Sequence, residues 1–380
     1  MSLPRIALTL GDVAGIGPEV VVRAWHTPVL HDCCRPVVVG HPDVVSRAVH
    51  LVGAKLEVVP VDRIDEAEPE RDSILVWNPT GDQAKNVPPG VNDGRAGQAA
   101  CEYLSAATEA ALDGRIDAIT TAPLSKAALH LAGLHYPGHT EILAELCSVR
   151  EYAMMLYLTG PRREREPEAT SPAPGAAAHS LGVVHVTLHT SIRSVPELLT
   201  PPRILEKIRL VDRFLRDIGC ASPRVGVCAL NPHAGEEGLF GDEEATLIAP
   251  AVAQAQAQGI AATGPLPADT LLKRACEGEF DGVVAMYHDQ GHIALKLIGF
   301  NRAVNVTLGL PIVRTSPSHG TAFDIAWKGV ARGEGMVEAV QVAARLARQA
   351  GTIKRQRAEA LAATVALQQS VSVDAAEETE

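Results

Sequence analysis

Residues 281–326 read DGVVAMYHDQGHIALKLIGFNRAVNVTLGLPIVRTSPSHGTAFDIA. The apolar run Gly282 to Met286 has strand character, and the chain then turns polar at once, delivering Tyr287, His288, Asp289, Gln290 and His292 at the strand's C-terminal end. Open α/β sheets bind their ligands at that edge. Lys296, Asn305 and Arg314 follow, three groups suited to oxyanions, and then Ser318-His319-Gly320-Thr321, a small-residue loop able to approach a ligand closely. The stretch predicts an α/β sheet with its chemistry at the strand ends.

Outward from it, the same alternation continues. Arg5 to Leu10, Pro36 to Gly40, Lys55 to Val61, Ser73 to Trp77 and Ile116 to Thr120 read as strands, with a helix from Gly97 to Leu112, closed by Gly114, before the last. GDVAGIGPE, residues 11–19, opens another helix, Pro18 suiting its first turn and Glu19 its dipole. This is no dinucleotide fingerprint, because the glycines fall in the order G-x-x-x-G-x-G and the next strand ends in Gly40-His41, with no acid for a ribose. A tight structural turn and a turn that also lines the cleft both satisfy the pattern. Gly160 to Ser180 is rich in Pro, Ala, Arg and Glu without apolar period, which predicts an exposed insertion. A helix from Met336 to Leu361 and a polar, acidic tail without fixed structure, 366–380, end the chain.

Composition narrows the class. With 380 residues and 46% hydrophobic content there is core for one large or two medium domains. A net charge of −11 and 3% aromatic residues leave neither a basic stripe nor stacking platforms, so nucleic acid is not an expected partner. No apolar run reaches the roughly 18 residues of a membrane span, and the N-terminus shows no signal-peptide pattern; a cytoplasmic protein with no membrane partner is expected. Seven cysteines without a C-x-x-C pair predict free thiols.

Histidines gather at the strand ends. Gly138-His139-Thr140-Glu141 precedes a helical pattern, with Thr140 placed as its cap and backbone donors free for an anion. Gly182 to Thr187 leads to His189, and Val225 to Leu230 leads to His233, so with His288 three strands each end in a histidine. Three neutral imidazoles so placed can hold a divalent metal and leave positions open for substrate and water. No H-E-x-x-H spacing accompanies them, and ordinary core or turn histidines give the same pattern.

TLGDVAGIGPE, TTAPLSK, YPGHTEILAE, LNPHAGEEGLFGDEE, GPLPADT, AMYHDQGH, KLIGFNRAVNVTLGLPIVRTS and HGTAFDIA occur in that order. Together they resemble the 4-hydroxythreonine-4-phosphate dehydrogenase family of the vitamin B6 pathway. The resemblance implies a fold like that of isocitrate and isopropylmalate dehydrogenases: two α/β/α domains with a cleft between them, the first made of 1–135 plus 305–365 and the second of 136–304. It implies a homodimer with shared active sites, in which His189 and His233 bind Zn, Mg, Mn or Co together with the partner subunit's His288. His139, Thr140, Lys296, Asn305 and Arg314 match substrate-binding positions for a small phosphorylated hydroxy acid. HGTAFDIA is similar to the adenosine-contacting loop of those dehydrogenases, which assigns His319, Gly320, Thr321 and Asp324 to NAD or NADP. Asp269 and Asp289 are expected to orient histidines or relay protons.

The implied reaction oxidises the C3 hydroxyl of 4-phosphooxy-L-threonine, with decarboxylation to 3-amino-2-oxopropyl phosphate. VVHVTLHTSIRS and GEEGLFGDEE look closer to a paralogous branch acting on D-threonate or D-erythronate 4-phosphate, and the histidine region is similar to relatives that oxidise cis-dihydrodiols of aromatic acids. Three positions depart from the family: Val13 stands where Pro is usual, Ser318 where Asp is, and Trp327 where Gly is.

Overall fold

The apolar runs of the sequence become twelve strands of one sheet in a computed structural model, which describes residues 3–66, 68–160, 180–299 and 302–352. They are β1 (Arg5–Thr9), β2 (Arg35–Val39), β3 (Glu57–Val61), β4 (Ser73–Trp77), β5 (Ala118–Thr121), β6 (Ala153–Leu158), β7 (Leu181–His185), β8 (Arg224–Cys228), β9 (Ala261–Leu266), β10 (Gly282–Ala285), β11 (Ala303–Leu308) and β12 (Val313–Pro317). Their order is β3-β4-β2-β1-β5-β12-β11-β6-β7-β10-β8-β9. Strands such as β1, β7 and β10 are apolar almost throughout because helices cover both of their faces, the condition of a parallel sheet. The antiparallel pairs β6–β7, β6–β11 and β11–β12 lie in the middle.

Two large apolar clusters flank that centre. Ile6, Leu8, Trp25, Val38, Ile74 and Tyr103 form one, and the helix at 334–352 returns to it through Met336, Val340 and Ala343. Met155, Tyr157, Ile208, Val211, Val227 and Val284 form the other. Residue 305, where the expected domain boundary falls, lies inside β11, and Val304, Val306 and Leu308 all pack into the second cluster.

Element boundaries differ from expectation where a cap or a ladder decides them. The helix expected from Gly97 starts at Gly94, because the Asp93 carboxylate accepts from Arg95 N at 2.8 Å. Gly97 itself sits at a close crossing, where a Cβ would stand 2.2 Å from Ala128 O. The three strands said to end in His189, His233 and His288 stop earlier, at His185, Cys228 and Ala285, and the histidines belong to the connections beyond them. Residues 161–179 and 353–380, which hold most of the expected insertion, the end of the last helix and the tail, lie outside the described residues. All seven cysteines are free thiols. Among the described residues no helix is long and apolar enough to cross a membrane.

Candidate active site

A cavity of about 550 Å³ opens where the C-terminal end of β7 faces the β11–β12 hairpin, and His139, Thr140, His189, Asn305, Arg314 and His319 line it. Arg314 projects from β12 and is 3% exposed. Its guanidinium donates to Thr307 Oγ1 at 3.1 Å and to Thr121 Oγ1 at 2.5 Å, while Nε has no partner among the described residues. Burial pushes its pKa down to about 9, and the charge of Glu141 only partly opposes this. A desolvated cation whose partners are hydroxyls is poised for an oxyanion.

Thr140 is not the helix cap. Gly138 takes that position with extended backbone and no side-chain bond, so His139 and Thr140 form the first turn of the helix His139–Leu146. That leaves first-turn N–H groups without helical acceptors beside the cavity. Burial and the charge of Arg314 push the His139 pKa well below its ordinary value, so its imidazole is neutral. Asn305 on β11 pairs with Ser316 on β12; its Nδ2 donates to Pro317 O at 3.3 Å, and its buried Oδ1 has no partner among the described residues.

The metal candidates divide. Because β7 and β10 are parallel neighbours, the connections after them start side by side, and the rings of His189 and His288 come to 5.8 Å between centroids. A second cavity, about 480 Å³, brings His189 together with Tyr287, His288 and Asp289. His288 opens the helix His288–Gly299, with its Nδ1 2.6 Å from Asp289 Oδ1. Burial, then the charge of Lys126, lowers the His189 pKa. His233 instead stands exposed on the connection after β8, with Nδ1 3.1 Å from Glu236 Oε2 and its ring edge-on to Phe240. Among the described residues no group of three His, Cys, Asp or Glu side chains is assembled to hold a metal.

The remaining candidates scatter. Lys296 is half-buried two turns beyond His288, where its charge acts on His292, and it lines neither cavity. Asp269 accepts from Thr270 N at 2.8 Å and also lines neither. His319 and Gly320 line the main cavity, and the buried His319 Nε2 has no partner among the described residues. Thr321 lies behind them, its carbonyl accepting from Ile16 N at 3.0 Å, and Asp324 is exposed. The loop at 11–17 is thus a buried support for the 318–327 segment and does not line the main cavity.

A family model described as "Pyridoxal phosphate biosynthetic protein PdxA" matches residues 32–343. The chain belongs to the PdxA family. It is 43% identical to 4-hydroxythreonine-4-phosphate dehydrogenase of Geobacter metallireducens, covering 92% of this chain and 97% of that one. It is 42% identical to D-threonate 4-phosphate dehydrogenase of Salmonella typhimurium, covering 91% and 100%. A crystal structure of 4-hydroxythreonine-4-phosphate dehydrogenase from Klebsiella pneumoniae superposes with a TM-score of 0.80 at 43% identity, covering 90% and 99%.

Two side chains of this PdxA chain, Lys126 and His185, escaped the sequence reading, and a third, His292, was named there without a role. Lys126 lines the main cavity opposite the hairpin. His292 stacks on His288, centroids 3.7 Å apart and planes at 12°, and its Nδ1 lies 3.1 Å from Nε2 of buried His185. The signal for the first pair was present, since His288 and His292 are four apart and share one helix face. His185 was visible as the only polar side chain in LGVVH. Trp327, one of the departures from the PdxA pattern, has left-handed backbone (φ 59) and donates its indole N–H to Val13 O at 2.8 Å beneath the Arg47 guanidinium.

Proposed function

We propose that this chain oxidises the C3 hydroxyl of 4-phosphooxy-L-threonine with NAD and a divalent cation, with decarboxylation to 3-amino-2-oxopropyl phosphate on the way to pyridoxal phosphate. Arg314 is the observation that supports this most: a buried guanidinium with hydroxyl partners, set beside an uncapped helix start, suits a phosphate monoester. Its fork and the first-turn N–H groups at His139 and Thr140 hold the phosphate. Asn305 orients the backbone of the substrate through its free Oδ1.

The donor set fits a divalent cation and a nicotinamide dinucleotide. Two adjacent imidazoles, one kept neutral by burial, suit a divalent cation of the Zn, Mn, Co or Mg type. Gly320, where an added Cβ would meet nothing within 4 Å, and the unpaired His319 Nε2 suit the close approach of a nucleotide. When bound, the cation draws charge from the oxygen on C3 and the nicotinamide accepts the hydride. The exposed Asp324 carboxylate disfavours a 2′-phosphate, which favours NAD over NADP.

The chain acts as a homodimer with shared sites. Leu239 (72% exposed) and Phe240 (48%) adjoin His233, and Ile293 and Leu297 stand one turn apart on the outer face of the helix that carries His288. Apolar groups so placed suit a second copy of the chain. The pairing of His189 with His288 supports a different division of ligands from the one the family resemblance implies: these two from one subunit, and the third from the partner subunit's His233.

The nearly equal identities to the two named dehydrogenases support D-threonate or D-erythronate 4-phosphate as a second reading. The test is a panel of these acids and an aromatic cis-dihydrodiol, with NAD or NADP, after chelation and after returning each metal. Reduced nicotinamide from 4-phosphooxy-L-threonine with metal, and none after chelation, is the expected result. Activity on the non-phosphorylated diol alone would overturn the assignment of Arg314 to phosphate.

A further inference from the structure

β7 is apolar until its last residue, His185, which is 1% exposed. Burying an imidazole in such a strand costs free energy that a leucine would not, unless its nitrogens are used. Nε2 lies 3.1 Å from Nδ1 of His292, itself 6% exposed, and the His292 ring lies flat against His288 at 3.7 Å and 12°. Gly291 brings the two segments this close: a Cβ there would stand 2.5 Å from His185 Nε2 and 2.7 Å from Val183 Cγ1. Gln290 clamps the same helix start, accepting from Met286 N at 2.7 Å and donating to Ala229 O at 2.8 Å. His288 is thereby gripped on its face by His292 and at Nδ1 by Asp289, which leaves Nε2 as the nitrogen open to a ligand.

We infer that His185 and His292 are positioning residues for His288: their hydrogen bond sets the plane of the His292 ring, and the stack passes that plane to His288, aiming its Nε2 at a cation shared with His189. The inference rests on the reading that His189 and His288 bind that cation. No proton moves in this arrangement; it acts through ring orientation alone, as partners behind a metal ligand do.

The test titrates Co²⁺ into the full chain and follows its visible absorption, with melting temperature recorded for every variant. H292A removes both contacts, H292F keeps a ring to stack but not the hydrogen bond, and H292N keeps a donor nitrogen without the ring. H185L replaces the buried imidazole with a side chain that the surrounding core accepts. Cobalt affinity should fall about 10–100-fold in H292A and by smaller factors in H292F, H292N and H185L. H185L should lose cobalt affinity while melting no lower than wild type, which a purely structural role for His185 does not predict. KM for the phosphorylated substrate at saturating cobalt should stay unchanged, since Arg314 is untouched. Wild-type cobalt affinity in both H292F and H185L overturns the inference even if H292A fails to fold. Undiminished cobalt binding in H189A and H288A instead overturns the reading beneath it.

Discussion

Two glycine-rich loops follow strand ends in this chain, and they are built in opposite ways. The first, 11–17, is buried throughout and bonded to the chain around it: Asp12 N donates to Pro123 O, Ile16 N to Thr321 O, and Gly90 N to Ala14 O. Gly11 has a φ of 62, and a Cβ on it would stand 2.3 Å from Pro123 O. The second, 232–241, runs through five successive left-handed residues, of which His233, Ala234, Glu236 and Glu237 are not glycine, and then turns Leu239 and Phe240 outward. Each such L-residue costs roughly 1–2 kcal/mol, a strain that persists only where the surroundings impose it. The difference teaches where the molecule is complete by itself and where it is not: the first loop bonds its backbone inside the chain, while the second holds an imidazole and two large apolar side chains facing out.

The largest effect would come from exchanging subunits. His189→Ala, His233→Ala and His288→Ala homodimers should each be inactive. Refolding the His189→Ala and His233→Ala chains together gives, statistically, about half heterodimers, each with one intact site, and activity should return to roughly a quarter of wild type. The His189→Ala and His288→Ala mixture should recover nothing, because the proposed division takes both residues from one chain. Recovery in the second mixture but not the first would reverse the assignment, and recovery in neither, with heterodimers confirmed by pull-down, would show that the outward loop serves no shared site.

Arg314 probes the inward side. Arg314→Met should weaken binding of phosphorylated substrate by about 2–5 kcal/mol, read as KM or a dissociation constant. Without ligand its melting temperature should not fall, since the change removes a buried charge that has no carboxylate bonded to it. An unchanged KM would remove Arg314 from the phosphate site.

A buried carboxylate lies in the first loop and another behind the second, of opposite character, and these give the smaller effects. Burial pushes the Asp12 pKa up to about 6 from 3.8, against the pull of the Ala14 N–H and with help from Asp93. Its contribution to stability is therefore full below the unfolded value and lost as pH rises through 6, a penalty of about 3 kcal/mol at neutral pH at 1.36 kcal/mol per unit. Asp12→Asn should raise the urea midpoint at pH 7.5 and leave it unchanged near pH 4; a lower midpoint at pH 7.5 would mean the ionised form is wanted there. Glu244, behind the second loop, loses some of its affinity for protons despite burial, because Leu230 N, Asn231 N and Asn231 Nδ2 all donate to it. Its contribution is present above its unfolded pKa and is lost as pH falls through the lower folded one. Glu244→Gln should cost about 1–3 kcal/mol at pH 7, with the gap to wild type closing in acid. A constant gap would mean the charge plays no part.

The sequence by itself determined eight of the twelve strands, whose apolar runs are dictated by burial on both faces, and the start of the helix after the 11–17 loop, where Pro18 acts locally; β6, β9, β11 and β12 were not legible in it. It also brought His139, Thr140, Asn305, Arg314, His319 and Gly320 forward as candidates, through side chains suited to oxyanions and the ordered motifs that carry the family resemblance. Only the tertiary structure decided which candidates meet. A ladder ends where its neighbour does, so β7 stops at His185 and His189 moves into the connection beyond. Gly138 took the cap that Thr140 was expected to form, since one residue of extended backbone suffices to begin a helix. The contact of His185 with His292 joins residues far apart in sequence, and nothing in either one's neighbourhood records the other. Which histidines come together follows from the order of strands in the sheet, and that order is a property of the packed chain rather than of any stretch of it.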